Sequence, residues 1–380
     1  MKRVGMVVSS PMTVQAFLLD QISALAREFD FSLIFNPGRP PEAFKGFFPC
    51  RTIPLAIERK IAPAVDFQAL GGLVKIFRRE RFDLIHSITP KAGLLAMIAG
   101  NIAGVPRRIH TFTGRVWANS TGLSRKFLKF ADMVIAKMAT DILIDSPSQR
   151  AFLLNEGVLS SDRSFVLGNG SISGVDVNKF SPDPRVRKKI REKLRISDFS
   201  CIFLFLGRLN RDKGVLDLAR AFQQVHAVRP DSNLVFVGPD EGGMRPLIRE
   251  TLPNCGSRLQ FVEFTNAPQD YYRMADVFCL PSYREGFGSV IIEAAAAGIP
   301  SIGTRIYGVT DAIEERESGL LYDPGSIELL FQHMLWMKDH PEKRIEMGAR
   351  ARNRALKLFP KEVITRAVLE FYSRVLERSA

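Results

Sequence analysis

Apolar positions along the chain switch repeatedly between unbroken runs and helical spacing. Residues 4–8 form a continuous apolar run, and Val14, Phe17, Leu18, Ile22, Leu25 and Phe29 then recur every three to four positions before 31–35 returns to a strand-like run. This predicts a parallel β-α-β unit. The same rhythm continues through a helix at 66–81, a strand at 83–86, and a helix opening at Thr89-Pro90-Lys91. A strand at 108–111, a helix at 124–139, a strand at 141–144, a helix start at Ser146-Pro147 and a strand at 164–167 follow. After residue 183 come a basic helix at 184–195, the apolar strand 201–206, a helix from Val215, and strands at 233–237, 259–264, 276–280 and 300–303. Helices at 289–297, 327–338, 341–358 and 360–377 complete the pattern. Strands this apolar, alternating with helices, belong to parallel sheets covered on both faces.

Residues 168–182, Gly-Asn-Gly-Ser-Ile-Ser-Gly-Val-Asp-Val-Asn-Lys-Phe-Ser-Pro, are dense in turn formers and interrupt the rhythm. A chain of 380 residues with 46% hydrophobic content has material for two cores. We therefore expect an α/β protein with two doubly wound domains: an N-terminal domain at 1–170, a linker at 171–183, a C-terminal domain at 184–358, and a last helix at 359–380.

Two turns in the second half carry chemistry. In the first, strand 201–206 runs into Gly207-Arg208-Leu-Asn-Arg211-Asp-Lys213-Gly214 and then a helix, the layout of an anion site in which cations supply charge and the helix start supplies N–H donors. In the second, strand 276–280 runs into Pro281-Ser-Tyr-Arg-Glu285-Gly286-Phe287-Gly288 and a helix from Ser289 that contains Glu293. Gly286 and Gly288 permit close approach of backbone to ligand. Glu285 and Glu293 can enter one crevice at different depths, and a carboxylate accepts well from neighbouring hydroxyls.

The pair of glutamates, with the Gly-Phe-Gly turn between them, resembles the Glu-x7-Glu signature of family 4 retaining glycosyltransferases, and the likeness extends over nearly the whole chain. It implies two Rossmann-like domains facing each other across a cleft, the glycosyltransferase B type. By this resemblance Glu293 holds the ribose hydroxyls of a nucleotide, Glu285 lies beside the donor sugar, and Gly207, Arg208, Lys213, Gly286, Phe287, Gly288 and Ser289 complete the donor site. Arg208 and Lys213 grip the diphosphate, so that with Glu285 they form the catalytic set. The donor is expected to be a UDP-sugar transferred with retention, with neither cofactor nor metal ion required.

Thr89-Pro-Lys91-Ala-Gly and Thr111-Phe-Thr113-Gly114 look like the branch of that family that extends sugars on bacterial lipid carriers. The implied acceptor is a saccharide on a polyprenyl diphosphate, in O-antigen or capsule synthesis, met by Ser10, Lys91, Thr113, Gly114 and Arg115. That branch often has a histidine where this chain has Thr113; His110 is not an automatic substitute.

Charge adds a possible surface. Of the net +13, residues 1–175 contribute +9, from 22 basic and 13 acidic side chains, and the remainder +4. Basic and aromatic residues mix in Phe44-Lys45-Gly-Phe47-Phe48-Pro-Cys-Arg51 and in Arg125-Lys126-Phe127-Leu-Lys129-Phe130, a composition suited to an anionic membrane surface. The expected location is the cytoplasmic face of the inner membrane, as a peripheral protein. Cys50, Cys201, Cys255 and Cys279 lie far apart without a Cys-x-x-Cys, which points away from a zinc site or a disulfide framework. Lys2 and Arg3 precede a run only as long as a strand, which we read as the first strand rather than a leader. There is no Gly-x-Ser-x-Gly, His-Glu-x-x-His or Walker loop. Two rival readings remain open on these residues: a nucleotide-sugar 2-epimerase of similar fold, and a basic nucleic-acid-binding protein, for which no reader motif is present.

Overall fold

The computed structural model describes residues 1–38, 48–58 and 62–378. They divide into two compact units, one made of Met1–Ser173 with Lys361–Ala380 and the other of Gly174–Pro360.

Among the described residues, the first unit holds a parallel sheet of β1 (Arg3–Val8), β2 (Asp30–Phe35), β3 (Arg51–Pro54), β4 (Leu84–Ile88), β5 (Arg107–Phe112), β6 (Asp141–Ile144) and β7 (Ser164–Val166). Its order is β3-β2-β1-β4-β5-β6-β7. Side chains alternate across it: Val7, Ile85, Phe112, Ile142 and Ile144 enter one core, and Val4, Met6, Leu84, Ile109 and Leu143 the other. The second core is completed by Val368, Phe371, Tyr372 and Val375 of the last helix, Lys361–Glu377, although nearly 190 residues of the other unit intervene in sequence. That helix is also tied by polar contacts. Buried His86 places Nδ1 2.6 Å from the Tyr372 hydroxyl and Nε2 2.7 Å from Thr111 Oγ1. Burial pushes the His86 pKa down to about 3.

The second unit holds β8 (Cys201–Leu206), β9 (Ser232–Val237), β10 (Leu259–Val262), β11 (Val277–Leu280), β12 (Ser301–Thr304) and β13 (Gly319–Tyr322), all parallel, in the order β10-β9-β8-β11-β12-β13. Phe203, Phe205, Phe222 and Phe236 are fully buried at its centre. Asp276, just ahead of β11, anchors the opposite edge from the ligand-like turns. It accepts from Arg187 at 2.8 Å, Arg191 at 2.7 Å and the Ile202 amide at 2.8 Å. Arg191 is 1% exposed; its Nε donates to the Met274 carbonyl and its Nη1 to the carbonyls of Ser197, Asp198 and Ser200, so each nitrogen of the buried cation has an acceptor.

The helical spacing of 14–29 resolves into two helices, Pro11–Phe17 and Leu19–Glu28, which meet at Leu18, where φ widens to −119° at ψ −8°. Residues 319–322, where the apolar pattern gave no strand, form β13 beside β12, and Val309–Ala312 make one helical turn. Phe48 of the first basic-aromatic segment is buried edge-on against Phe35, not exposed. Phe44, Lys45 and Phe47 lie outside the described residues.

Candidate functional site

In each sheet the strand order reverses beside its first strand: β1 lies between β2 and β4, and β8 between β9 and β11. Ligand crevices of open parallel sheets form at such points, outside the carboxyl ends of the strands. In the second unit the two chemistry-bearing turns leave β8 and β11 there, side by side.

The two turns are locked together. The Tyr283 amide donates to the Asp212 carbonyl at 2.8 Å, and Arg284 pairs with Asp212 at 2.7 Å. Gly214 has φ +64°, and a Cβ there would stand 2.0 Å from the Pro281 carbonyl oxygen, so only glycine lets the turns touch. Gly238, after β9, is held equally close to Gly207: its Cβ would meet the Gly207 oxygen at 2.1 Å. Across this seam Lys213 Nζ lies 2.5 Å from Glu285 Oε1, and the Ser282 hydroxyl donates to the same oxygen at 2.7 Å. Both side chains are mostly enclosed, at 19% and 13% exposure. Two residues singled out 72 positions apart are thus in direct contact.

The helix Ser289–Ala296 starts from Gly288, at φ +77°, with no side-chain cap and no acidic residue in its first turn. Its first N–H groups and dipole are therefore not satisfied by a cap from the chain itself, the arrangement that receives an anion. Phe287 is turned away: it is 2% exposed and packs on Phe359 with ring centroids 5.2 Å apart. Its side chain anchors the turn, leaving only its backbone to face a ligand.

Glu293, in the second turn of this helix, accepts a hydrogen bond from the buried Tyr272 hydroxyl at 2.9 Å. Burial pushes the Glu293 carboxyl up to about 7, while Tyr272 and the charge of Lys179 draw it down. Arg208, directly after Gly207, stands at the same sheet edge. It is 42% exposed and pairs with Glu241 of the loop after β9 at 2.9 Å.

The first unit brings Ser10, Lys91, Thr113 and Gly114 to the carboxyl ends of β1, β4 and β5, which are neighbours in the sheet. Several of these groups are already engaged. Ser10 Oγ caps the helix Pro11–Phe17 by accepting from the Met12 amide at 3.3 Å. Lys91 is ion-paired with Asp66. The Thr113 carbonyl accepts from Arg115 Nε and Gln149 Nε2, both at 2.7 Å.

Arg115 departs from the expectation of a substrate-facing cation. It is 1% exposed, bonded to Asp132 at 3.0 Å and stacked on the Phe112 ring at 4.6 Å, because Asp132 and Trp117 close over it. It fixes the loop rather than reaching out of it. His110 is fully buried beside Ser87 Oγ at 2.8 Å, and burial holds its pKa well below the ordinary histidine value. Tyr272 was not flagged by the sequence. Its only signal is its place in the short helix Pro268–Met274 leading into β11.

Two sequence families match. The family described as "Glycosyl transferases group 1" matches residues 186–354, and the family described as "Glycosyl transferase 4-like domain" matches 13–170. The chain is 26% identical to a capsular polysaccharide biosynthesis glycosyltransferase, CapM, of Staphylococcus aureus, over 86% of this chain and 85% of that protein. It is 27% identical to a UDP-Gal:alpha-D-GlcNAc-diphosphoundecaprenol alpha-1,3-galactosyltransferase of Escherichia coli, over 91% of this chain and 89% of the relative. Among solved structures, a sucrose-phosphate synthase from Thermosynechococcus elongatus superposes with TM-score 0.82 at 22% identity, covering 100% of both chains. Anabaena Alr3699/HepE, crystallised with UDP, superposes with TM-score 0.81 at 19% identity, covering 98% of this chain and 100% of that one. With both sheets, the order of their strands and both sequence families in agreement, the chain belongs to the group 1 and family 4-like glycosyltransferases of the two-domain glycosyltransferase B fold.

Proposed function

We propose that the protein transfers a sugar from a nucleotide diphosphate donor, most simply a UDP-sugar, to a saccharide carried on a polyprenyl diphosphate, with retention of anomeric configuration, at the cytoplasmic face of a bacterial membrane. The observation that carries this reading is the Lys213–Glu285 contact joining the turns after β8 and β11, beside an uncapped helix start. The E. coli relative, named for moving galactose from UDP to a diphosphoundecaprenol-linked sugar, supports the acceptor class.

In this reading the second unit holds the donor. Glu293 accepts from the ribose hydroxyls, the N–H groups at Ser289 and the Gly286-Phe287-Gly288 backbone receive the diphosphate, and Arg208 and Lys213 neutralise charge as it accumulates on the leaving group. The bond between the anomeric carbon and the phosphate oxygen breaks while the acceptor oxygen bonds to that carbon on the same face. The acceptor proton passes to the departing phosphate oxygen, so no protein base is needed. Glu285, held by Lys213 and Ser282, positions the sugar. Ser10, Lys91, Thr113 and Gly114 mark the edge of the first unit at which the acceptor is placed.

A thermal-shift panel of nucleotide sugars tests donor binding, since a ligand at 100 times its Kd stabilises the fold by about 2.7 kcal/mol. Selective stabilisation by one UDP-sugar is expected, and none by any nucleotide sugar would overturn the reading. A mass gain in a polyprenyl-diphosphate saccharide, unaffected by a chelator, separates transfer by these cations from epimerisation and from metal-assisted transfer.

A further inference from the structure

The helix Gly122–Met138 of the first unit has two unlike faces. Its inner face is fixed: Asp132 receives Arg115 at 3.0 Å and the Trp117 indole N–H at 2.6 Å, and Ile135 and Ala136 are buried. Arg125 and Lys129 clamp one flank to Glu156, at 2.7 and 2.8 Å. The outer face carries Leu123, Phe127, Phe130, Met133 and Lys137, spaced three or four apart and so on one side of the helix, with Lys126 beside them. Leu123 is 83% exposed, Phe127 63%, Phe130 62% and Met133 44%.

An ordinary solvated helix face does not project four large apolar side chains in a row, about 15 Å long at 1.5 Å per residue. The helix has a single carboxylate, Asp132, and it is buried on the opposite side. The outer stripe is therefore apolar and cationic with no negative charge, within the half of the chain that carries most of the +13. A second protein surface would need no uncompensated lysines, whereas a bilayer with anionic headgroups matches both features: the rings enter the interface and the ammonium groups meet phosphates.

We propose that the outer face of Gly122–Met138 is a membrane-docking surface that seats the first unit on an anionic bilayer. The proposal rests on the lipid-linked acceptor reading only for its purpose; the surface itself is carried by exposure and charge. Docking on this helix would keep the first unit where an acceptor's diphosphate emerges from the headgroups, converting a three-dimensional search into a lateral one.

The test is co-sedimentation of the full chain with vesicles of phosphatidylglycerol and phosphatidylcholine, or phosphatidylcholine alone, at low salt. Wild type is expected to partition onto the anionic vesicles, more weakly at high salt. Phe127→Ser/Phe130→Ser is expected to lower partitioning about tenfold or more, because about 1.5–3 kcal/mol accompanies full burial of one such side chain. Lys126→Glu/Lys137→Glu should remove the preference for anionic vesicles. Both variants should keep the wild-type unfolding temperature, and both should keep transfer to an acceptor dispersed in detergent. Equal vesicle binding by wild type and the Phe variant overturns the proposal. So does absence of binding by wild type, or a dimer by gel filtration that the Phe variant turns into monomer, which would make the face a contact between copies. Loss of transfer in detergent with vesicle binding intact would instead refute the functional reading and leave the docking surface standing.

Discussion

Removing one hydroxyl, in Tyr272→Phe, separates a ribose-binding role for Glu293 from a structural one. The ring is packed against Phe180 and Phe278, with centroids 5.7 and 5.5 Å away, and a phenylalanine keeps those contacts. What is lost is the 2.9 Å hydrogen bond to the Glu293 carboxylate, in a setting where that carboxyl already stands near pH 7. A hydrogen bond to a charged group contributes about 1.5–3 kcal/mol. At 1.36 kcal/mol per pH unit, its loss moves the Glu293 midpoint upward by about one to two pH units. A carboxylate that must accept from two ribose hydroxyls works only when ionised. At pH 7 the half-ionised wild-type site therefore becomes a site ionised in about 1–10% of molecules, and UDP affinity should drop about 5- to 50-fold. At pH 9.5 the two proteins should agree within about twofold. Isothermal titration with UDP from pH 7 to 9.5 reads this directly. A pH-independent loss, or no loss at pH 7, would refute the argument that Tyr272 acts by keeping Glu293 ionised.

Three further expectations follow from groups described above. Arg208→Ala and Lys213→Ala should each lower kcat about 10²–10³-fold, as for removal of a preorganised donor to developing charge; the exposed Arg208 should do so within about 0.5 kcal/mol of wild-type stability, and parallel losses of Tm and activity would make these cations structural. Asp276→Asn strands the buried Arg191 and should cost about 3–5 kcal/mol in urea unfolding, whereas a change under 1 kcal/mol would show that the carbonyls alone satisfy it. His86 remains neutral in the fold down to about pH 3, while the unfolded chain takes up the proton near pH 6.5, so its contribution is intact above pH 6.5 and is lost as pH falls toward 3. That proton alone gives a slope of up to about 1.4 kcal/mol per pH unit, which His86→Gln should flatten in urea titrations at pH 5 and 7.

Sheet architecture was legible because the strands are buried on both faces and so read as unbroken apolar runs, as in residues 201–206. The convergence of Lys213 and Glu285 was legible for a related reason. Each follows a strand by a glycine-bounded turn, and parallel strands deliver all such turns to one edge. Partners were not legible. Nothing in the spacing of Lys91 or Arg115 indicates that Asp66 and Asp132 consume their charge, since such pairing depends on how separate helices pack. Tyr272 escaped for the same reason, being 21 positions from the carboxylate it serves. Strand β13 was missed because Gly-Leu-Leu-Tyr is too short to display a period, and its pairing with β12 decides its conformation.

The route of the last helix has a bearing on biosynthesis. The unit spanning Gly174–Pro360 is continuous in sequence, but the other lacks Val368, Phe371, Tyr372 and Val375 until Lys361–Glu377 has been translated. On the ribosome the half that emerges first is consequently the half finished last. It waits with part of its core open to solvent while its neighbour matures, and a chain cut short ahead of Lys361 would leave the earlier domain without that part of its core.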